Sequence, residues 1–101
     1  MALKIILKKR YLNKLYKLLT YLEAEWGHQV AKEFLRKVDK KLDTLSRQPY
    51  MGVPSEKVQD VRSVLITRHN RLYYKVTGDR IVVLNLYDTR RKPAKNPYKR
   101  K

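Results

Sequence analysis

Residues 61–93 read VRSVLITRHNRLYYKVTGDRIVVLNLYDTRRKP, and the pattern in this stretch decides the fold. Leu72, Tyr74 and Val76 alternate with Arg71, Tyr73 and Lys75. A period of two is the mark of a strand buried on one side. Thr77-Gly78-Asp79 follows and predicts a tight hairpin turn, because glycine reaches positive φ without steric cost. Residues 81–87 are nearly continuous apolar sequence, as expected of a strand in the middle of a sheet. Upstream, residues 61–67 predict another strand, and His69-Asn70 the turn that joins it to the next. Beyond Asp88-Thr89 the chain turns abruptly basic, so the stretch reads as three strands with a positively charged lip.

Outward from this core, the rest of the chain reads as packing for the sheet. Leu3, Ile5 and Leu7 alternate with Lys4, Ile6 and Lys8, which predicts a short opening strand. From about Leu12 the period changes: Leu12, Leu15, Tyr16, Leu19, Leu22 and Trp26 fall at helical spacing. Tyr11, Tyr16 and Tyr21 on this helix read as core or rim residues. Gly27-His28 ends it, and Ala31, Phe34, Leu35, Val38, Leu42 and Leu45 define a second amphipathic helix that Pro49 stops. Residues 49–54 hold two prolines and a glycine and read as a loop. The order is β-α-α-β-β-β, an α+β domain with a helical hairpin packed on a mostly antiparallel four-stranded sheet. Residues 1–93 are expected to form a single domain, and 94–101 a basic C-terminal tail too poor in apolar residues to fold alone.

Composition narrows the function classes. The chain has 25 Lys and Arg against 9 Asp and Glu in 101 residues, a net charge of +16. Such a field attracts polyanions through counterion release, so nucleic acid, the ribosome or an acidic protein are favoured partners. No apolar run approaches the roughly 18 residues of a membrane span, so no membrane partner is expected. The absence of cysteine fits a reducing cytoplasm. Only three glycines are present, which leaves no glycine-rich phosphate loop. No Cys/His metal-ligand set and no Ser-His-Asp arrangement can be drawn, and no metal or cofactor is expected.

Several pieces of the sequence together resemble the RelE/ParE superfamily of toxins from type II toxin–antitoxin modules, and most closely its ParE-like branch. They are Tyr21-Leu22 with Trp26-Gly27, residues 45–49 leading to Gly52 and Pro54, Val61-Arg62, residues 69–74, and Asp88-Thr89-Arg90 followed by Pro93. The likeness covers nearly the whole chain, and it rests on order and spacing rather than on any one piece. It implies a small cytoplasmic bacterial toxin held silent by a cognate antitoxin in a hetero-oligomer. ParE-like members are associated with poisoning DNA gyrase, whereas RelE-like members cut mRNA on the ribosome. The DTR-x-x-P ending favours the first target, although Arg91 stands where many ParE-like chains carry glutamine. A third reading is a non-toxic basic nucleic-acid-binding module, for which no recognised binding motif is present.

RNA cleavage through the 2′-hydroxyl would need a base, an acid and cations on the phosphate. Cations are plentiful. The resemblance places Arg71 where RelE-like nucleases hold the phosphate, Arg90 and Arg91 near a second arginine, and Tyr98 near a functional tyrosine. A base is harder to find. His69 titrates in the right range but sits at a turn beside asparagine, where histidine more often shapes the turn. His28 reads as an inter-helix loop residue. Arg90 could equally pair with Asp88. For a nuclease the candidate set is therefore Arg71, Arg91, Tyr98 and His69. For a partner or target surface it is Arg62, Arg68, Arg71, Tyr73, Lys75, Arg90, Arg91 and Lys92, with Tyr73 expected to face solvent or a partner.

Overall fold

A computed structural model describes residues 2–90 and 96–98. Along the chain lie β1 (Lys4–Leu7), α1 (Lys9–Trp26), α2 (His28–Arg47), β2 (Val53–Pro54), β3 (Val61–Thr67), β4 (Asn70–Thr77) and β5 (Arg80–Asp88). The strands form one sheet in the order β1-β5-β4-β3-β2. All neighbours are antiparallel except β1 and β5, which pair in parallel with Ile5 opposite Ile81. The α+β architecture expected from the sequence is present, with a fifth strand. Within the loop at 49–54, Val53 and Pro54 pair with Ser63 and Arg62 of β3. Proline is tolerated there because β2 is an edge strand, where a missing N–H need not break a ladder.

The helical hairpin packs on one face of the sheet. Leu15, Phe34, Val38 and Leu45 meet Val64, Leu72, Ile81 and Val83 in a single buried cluster. The helices meet at Gly27, whose φ of +96° lies in the region open to glycine, while a Cβ there would touch nothing within 4 Å. Glycine is thus needed for the backbone turn, not for space. Its N–H caps α1 by donating to the Glu23 carbonyl. At the other end of α2, the Gln48 N–H donates to Thr44 and Arg47 pairs with Asp43, a cation placed where the helix dipole favours it.

Three sequence expectations need correction. Helix α1 starts at Lys9, earlier than the Leu12 at which the periodicity becomes visible. Tyr11 fills the core, whereas Tyr16, Tyr21 and Trp26 are exposed. The stripe that meets the sheet runs through Tyr11, Leu15, Leu19 and Leu22, leaving Tyr16 and Tyr21 outside it and Trp26 past its end. Strand β4 is buried on both faces around residue 73, not on one. A bulge lies between β4 and β5 at this point: Tyr73 faces Asn85, but Tyr74 faces Val83, so Leu84 has no partner residue.

Tyr11 supports a first prediction. It is fully buried, and its hydroxyl has no hydrogen-bond partner among the described residues. Burial, reinforced by the negative charge of Asp39, pushes the phenol up to about 12. Because this lies above the ordinary value of 10.0, the associated stability is complete below pH 10 and is lost as pH rises toward 12. Removing the orphan hydroxyl in Tyr11→Phe is expected to stabilise the fold by about 1 kcal/mol at neutral pH. It should also flatten the alkaline decline by an amount on the order of 2 kcal/mol. Urea titrations at neutral and strongly alkaline pH check both effects, and a Tyr11→Phe protein less stable than wild type would contradict the assignment.

Candidate functional site

The face of the sheet turned away from the helices carries a cluster of cationic, amide and aromatic groups. Arg71 of β4 stands opposite Leu65 of β3 and Tyr87 of β5. Its Nη1 donates to Ser63 Oγ at 2.8 Å, while its buried Nε has no partner among the described residues. Tyr73, two residues on, lies between Ser63 and Asn85 and is only 2% exposed. Asn85 is fully buried. Its Oδ1 accepts the Leu86 N–H at 2.9 Å, and its Nδ2 has no partner among the described residues.

Residues 96–98 cover part of this face. The Tyr98 ring stacks on Tyr73 with centroids 4.4 Å apart and planes 21° apart. Tyr87 meets both rings edge-on at 6.0 and 6.1 Å, in the offset and T-shaped arrangements that aromatic quadrupoles favour. Asn96 Nδ2 donates to the Tyr73 hydroxyl at 3.0 Å, and Ser55 Oγ donates to the Tyr98 carbonyl at 2.6 Å. Lys14 places its ammonium 3.4 Å from the centroid of the Tyr87 ring, a cation–π contact joining α1 to this side of the sheet. Burial raises the Tyr73 phenol, with the Asn96 hydrogen bond and the Arg71 charge partly opposing it. The cluster can hold an anion or an acceptor oxygen and can offer ring faces. Tyr73, held as a neutral phenol, is poorly suited to accept a proton near neutrality.

The structure brings together Arg71, Tyr73 and Tyr98 from the sequence-derived candidates. Tyr73 departs from expectation, since it is buried under Tyr98 and does not face solvent. The remaining candidates lie elsewhere. His69 sits in the β3–β4 turn, where its Nε2 accepts from Arg68 Nε at 3.3 Å and its carbonyl accepts the Thr89 N–H. The Arg68 carbonyl accepts the Thr89 hydroxyl, tying the same turn to the end of β5. Arg62 donates to the carbonyls of Tyr50 and Gly52 and lies over the Tyr50 ring, so it braces the β2 loop. Arg90 grips Asp88 through Nε and Nη2, and its N–H bonds the same carboxylate. These contacts hold the Asp88 carboxyl below the usual range, and their stabilisation is lost as pH falls from that range through the lowered value. Lys75 lies opposite Val61 and Val82. Arg91 and Lys92 lie outside the described residues.

Sequence reasoning passed over Ser63, Asn85 and Asn96. Of these, only Asn85 carried a visible signal. It is the single polar residue within the apolar run from 81 to 87, and a buried amide in a central strand calls for partners.

The family described as the ParE toxin of the type II toxin–antitoxin system parDE matches residues 5–93. Among solved structures, the chain is similar to the chromosomal ParDE toxin–antitoxin system of P. aeruginosa. That likeness has a TM-score of 0.73 at 15% identity and covers 86% of this chain and 96% of that one. A mutant of the E. coli toxin RelE in the free state gives 0.65 at 20% identity, covering 97% and 92%. The heterotetrameric YoeB–YefM toxin–antitoxin complex of Staphylococcus aureus gives 0.56 at 17%, covering 86% and 97%. At these identities the structural likenesses establish the fold alone. No curated protein sequence matches the chain.

Proposed function

The chain belongs to the ParE toxin family of type II toxin–antitoxin systems, and from that premise we propose that it arrests growth by poisoning DNA gyrase, with a cognate antitoxin keeping it silent. The observation that carries this reading is the character of the groups around Arg71. The side chains sharing its face offer a hydroxyl from Ser63, an amide from Asn85 and phenols from Tyr73, Tyr87 and Tyr98. Burial lifts Tyr73 further from neutrality. His69 is engaged by Arg68 and Arg90 by Asp88. Among the described residues Arg71 has no neighbouring base, and such a cation suits gripping better than cutting. A net charge of +16 suits an antitoxin of acidic character, which would draw it in over long range. Solved relatives include complexes named as toxin–antitoxin assemblies, which supports such a partner.

A second reading, ribosome-dependent mRNA cleavage, draws on one observation. The unpartnered Arg71 Nε and Asn85 Nδ2 lie on the face that carries the Tyr73–Tyr98 stack. Donors for a phosphate oxygen beside an aromatic platform are what a bound RNA strand would use. One pair of assays separates the readings. Purified protein incubated with gyrase, supercoiled plasmid and ATP is expected to yield linear DNA only when gyrase is present. mRNA in a translating extract should stay intact. Cut mRNA without gyrase-dependent breakage would overturn the proposal in favour of the nuclease.

A further inference from the structure

The tip of the helical hairpin differs in chemistry from the rest of the molecule. One residue in four of this chain is Lys or Arg, yet residues 18–31 contain neither. The next longest gaps run only nine residues, one of them being the buried strand β5. Within 18–31 lie Glu23 and Glu25, while the Glu33 that follows is ion-paired with Arg36 at 2.9 Å. On a protein of charge +16, this is a locally acidic end.

The same end exposes apolar surface. Trp26, the only tryptophan, closes α1 and is 66% exposed, and Val30 in the first turn of α2 is 41% exposed. Leu22 lies one turn before Trp26 on α1 and is half-buried against the core, so the apolar stripe runs from the core outward to the tip. The stripe continues past the point where sheet residues cover it. Gly27 fixes the turn between the two helices at φ +96° and caps α1 through its N–H. His28 Nδ1 lies 3.4 Å from Glu23 Oε2, bracing the turn from the side. Trp26 is therefore presented on an ordered turn between two long helices.

Nothing in the fold requires this. A tryptophan left in water loses the burial energy of its large ring, and exposed tryptophans concentrate at the centres of protein interfaces. Acidic residues around an apolar centre select a partner of opposite rim charge and repel an acidic one. We infer that the hairpin tip, with Trp26 and Val30 at its centre and Glu23 and Glu25 at its rim, is a docking surface for a protein offering an apolar pocket edged by lysine or arginine. An acidic antitoxin suits the basic body of the molecule, not this end, so the tip is assigned to the growth-inhibition target. In naming gyrase as the probe, the inference rests on the proposed function.

The test uses the full chain and immobilised gyrase holoenzyme. Trp26→Ala and the charge reversal Glu23→Lys/Glu25→Lys are each expected to weaken gyrase binding at least about tenfold. Trp26→Phe should retain most of the affinity. All three proteins should melt within a few degrees of wild type, since the altered side chains are exposed. Wild-type affinity in both Trp26→Ala and the charge-reversed protein would overturn the inference while leaving gyrase as the target. If wild-type protein fails to bind gyrase, the proposed target is wrong and growth inhibition decides the role of the tip. Loss of inhibition in Trp26→Ala then upholds the surface for another target, and undiminished inhibition removes it.

Discussion

Replacing Gly52 with alanine is expected to be among the most damaging single-methyl additions to this chain. A Cβ at residue 52 would lie 2.5 Å from the Tyr74 hydroxyl, 2.8 Å from its Cε1 and 2.9 Å from the Ser63 carbonyl. Tyr74 cannot swing away, because it is fully buried and its hydroxyl is held twice. That hydroxyl donates to the Pro49 carbonyl at 2.7 Å and accepts the Gly52 N–H at 3.0 Å. The Gly52 carbonyl in turn accepts from Arg62, so the loop cannot easily lift either. Overpacking at a constrained site, with loss of these bonds, gives an expected destabilisation of roughly 2–4 kcal/mol. For a domain of this size the thermal midpoint should fall by on the order of 10–20 °C. Tyr74→Phe alone should cost about 1–3 kcal/mol by leaving the Gly52 N–H and Pro49 carbonyl unpaired. The double variant should be less unstable than the sum, because removing the hydroxyl removes the nearest clash. A Gly52→Ala protein melting within two degrees of wild type would refute this account of the loop.

The contrast between what the sequence disclosed and what it hid follows from which contacts are local. Strands β3, β4 and β5 announce themselves through alternation, the glycine at residue 78 and the long apolar run, all readable within a few residues. The helices do the same through Leu15, Leu19 and Leu22 and through Phe34, Val38 and Leu42. Strand β2 is hidden because two residues pairing across to Ser63 and Arg62 leave no pattern of their own. The burial of Tyr73 is hidden for a related reason: what covers it is Tyr98, 25 residues away in a stretch with little apolar content. Alternation reports which residues share a face of a strand, but not whether that face is later covered. At the site, Arg71 was legible as a cation on the outer face and Arg90 as a partner for Asp88. The setting of Arg71 among Ser63, Asn85 and Tyr98 was not, because it depends on cross-strand register and on the bulge at Leu84.

Tyr73→Ala should have an effect of similar size for a different reason. The ring is sandwiched between its strand neighbours and Tyr98, it meets Tyr87 edge-on, and its hydroxyl accepts from Asn96. Truncating a buried aromatic ring costs about 3–5 kcal/mol, a large share of the roughly 5–15 kcal/mol that a domain holds in total. Residues 96–98 lose their stacking platform, keeping the edge-on Tyr87 contact, the Ser55 bond to the Tyr98 carbonyl and the local Asn96 bond to the Tyr98 N–H. Tyr98→Ala should be milder. A double-mutant cycle between the two positions should return a coupling of about 0.5–1.5 kcal/mol for the stacked pair, readable from urea midpoints. Loss of growth inhibition in Tyr73→Ala would report only loss of the fold. Tyr73→Phe keeps the ring and removes only the hydroxyl, at an expected cost of about 1 kcal/mol for the Asn96 bond. If the chain acts by gripping gyrase, Tyr73→Phe should inhibit growth as wild type does, because no proton passes through that hydroxyl. A folded Tyr73→Phe protein that has lost inhibition would instead place the hydroxyl in a chemical step, and would move the reading from the gripping of a protein to the cleavage of RNA.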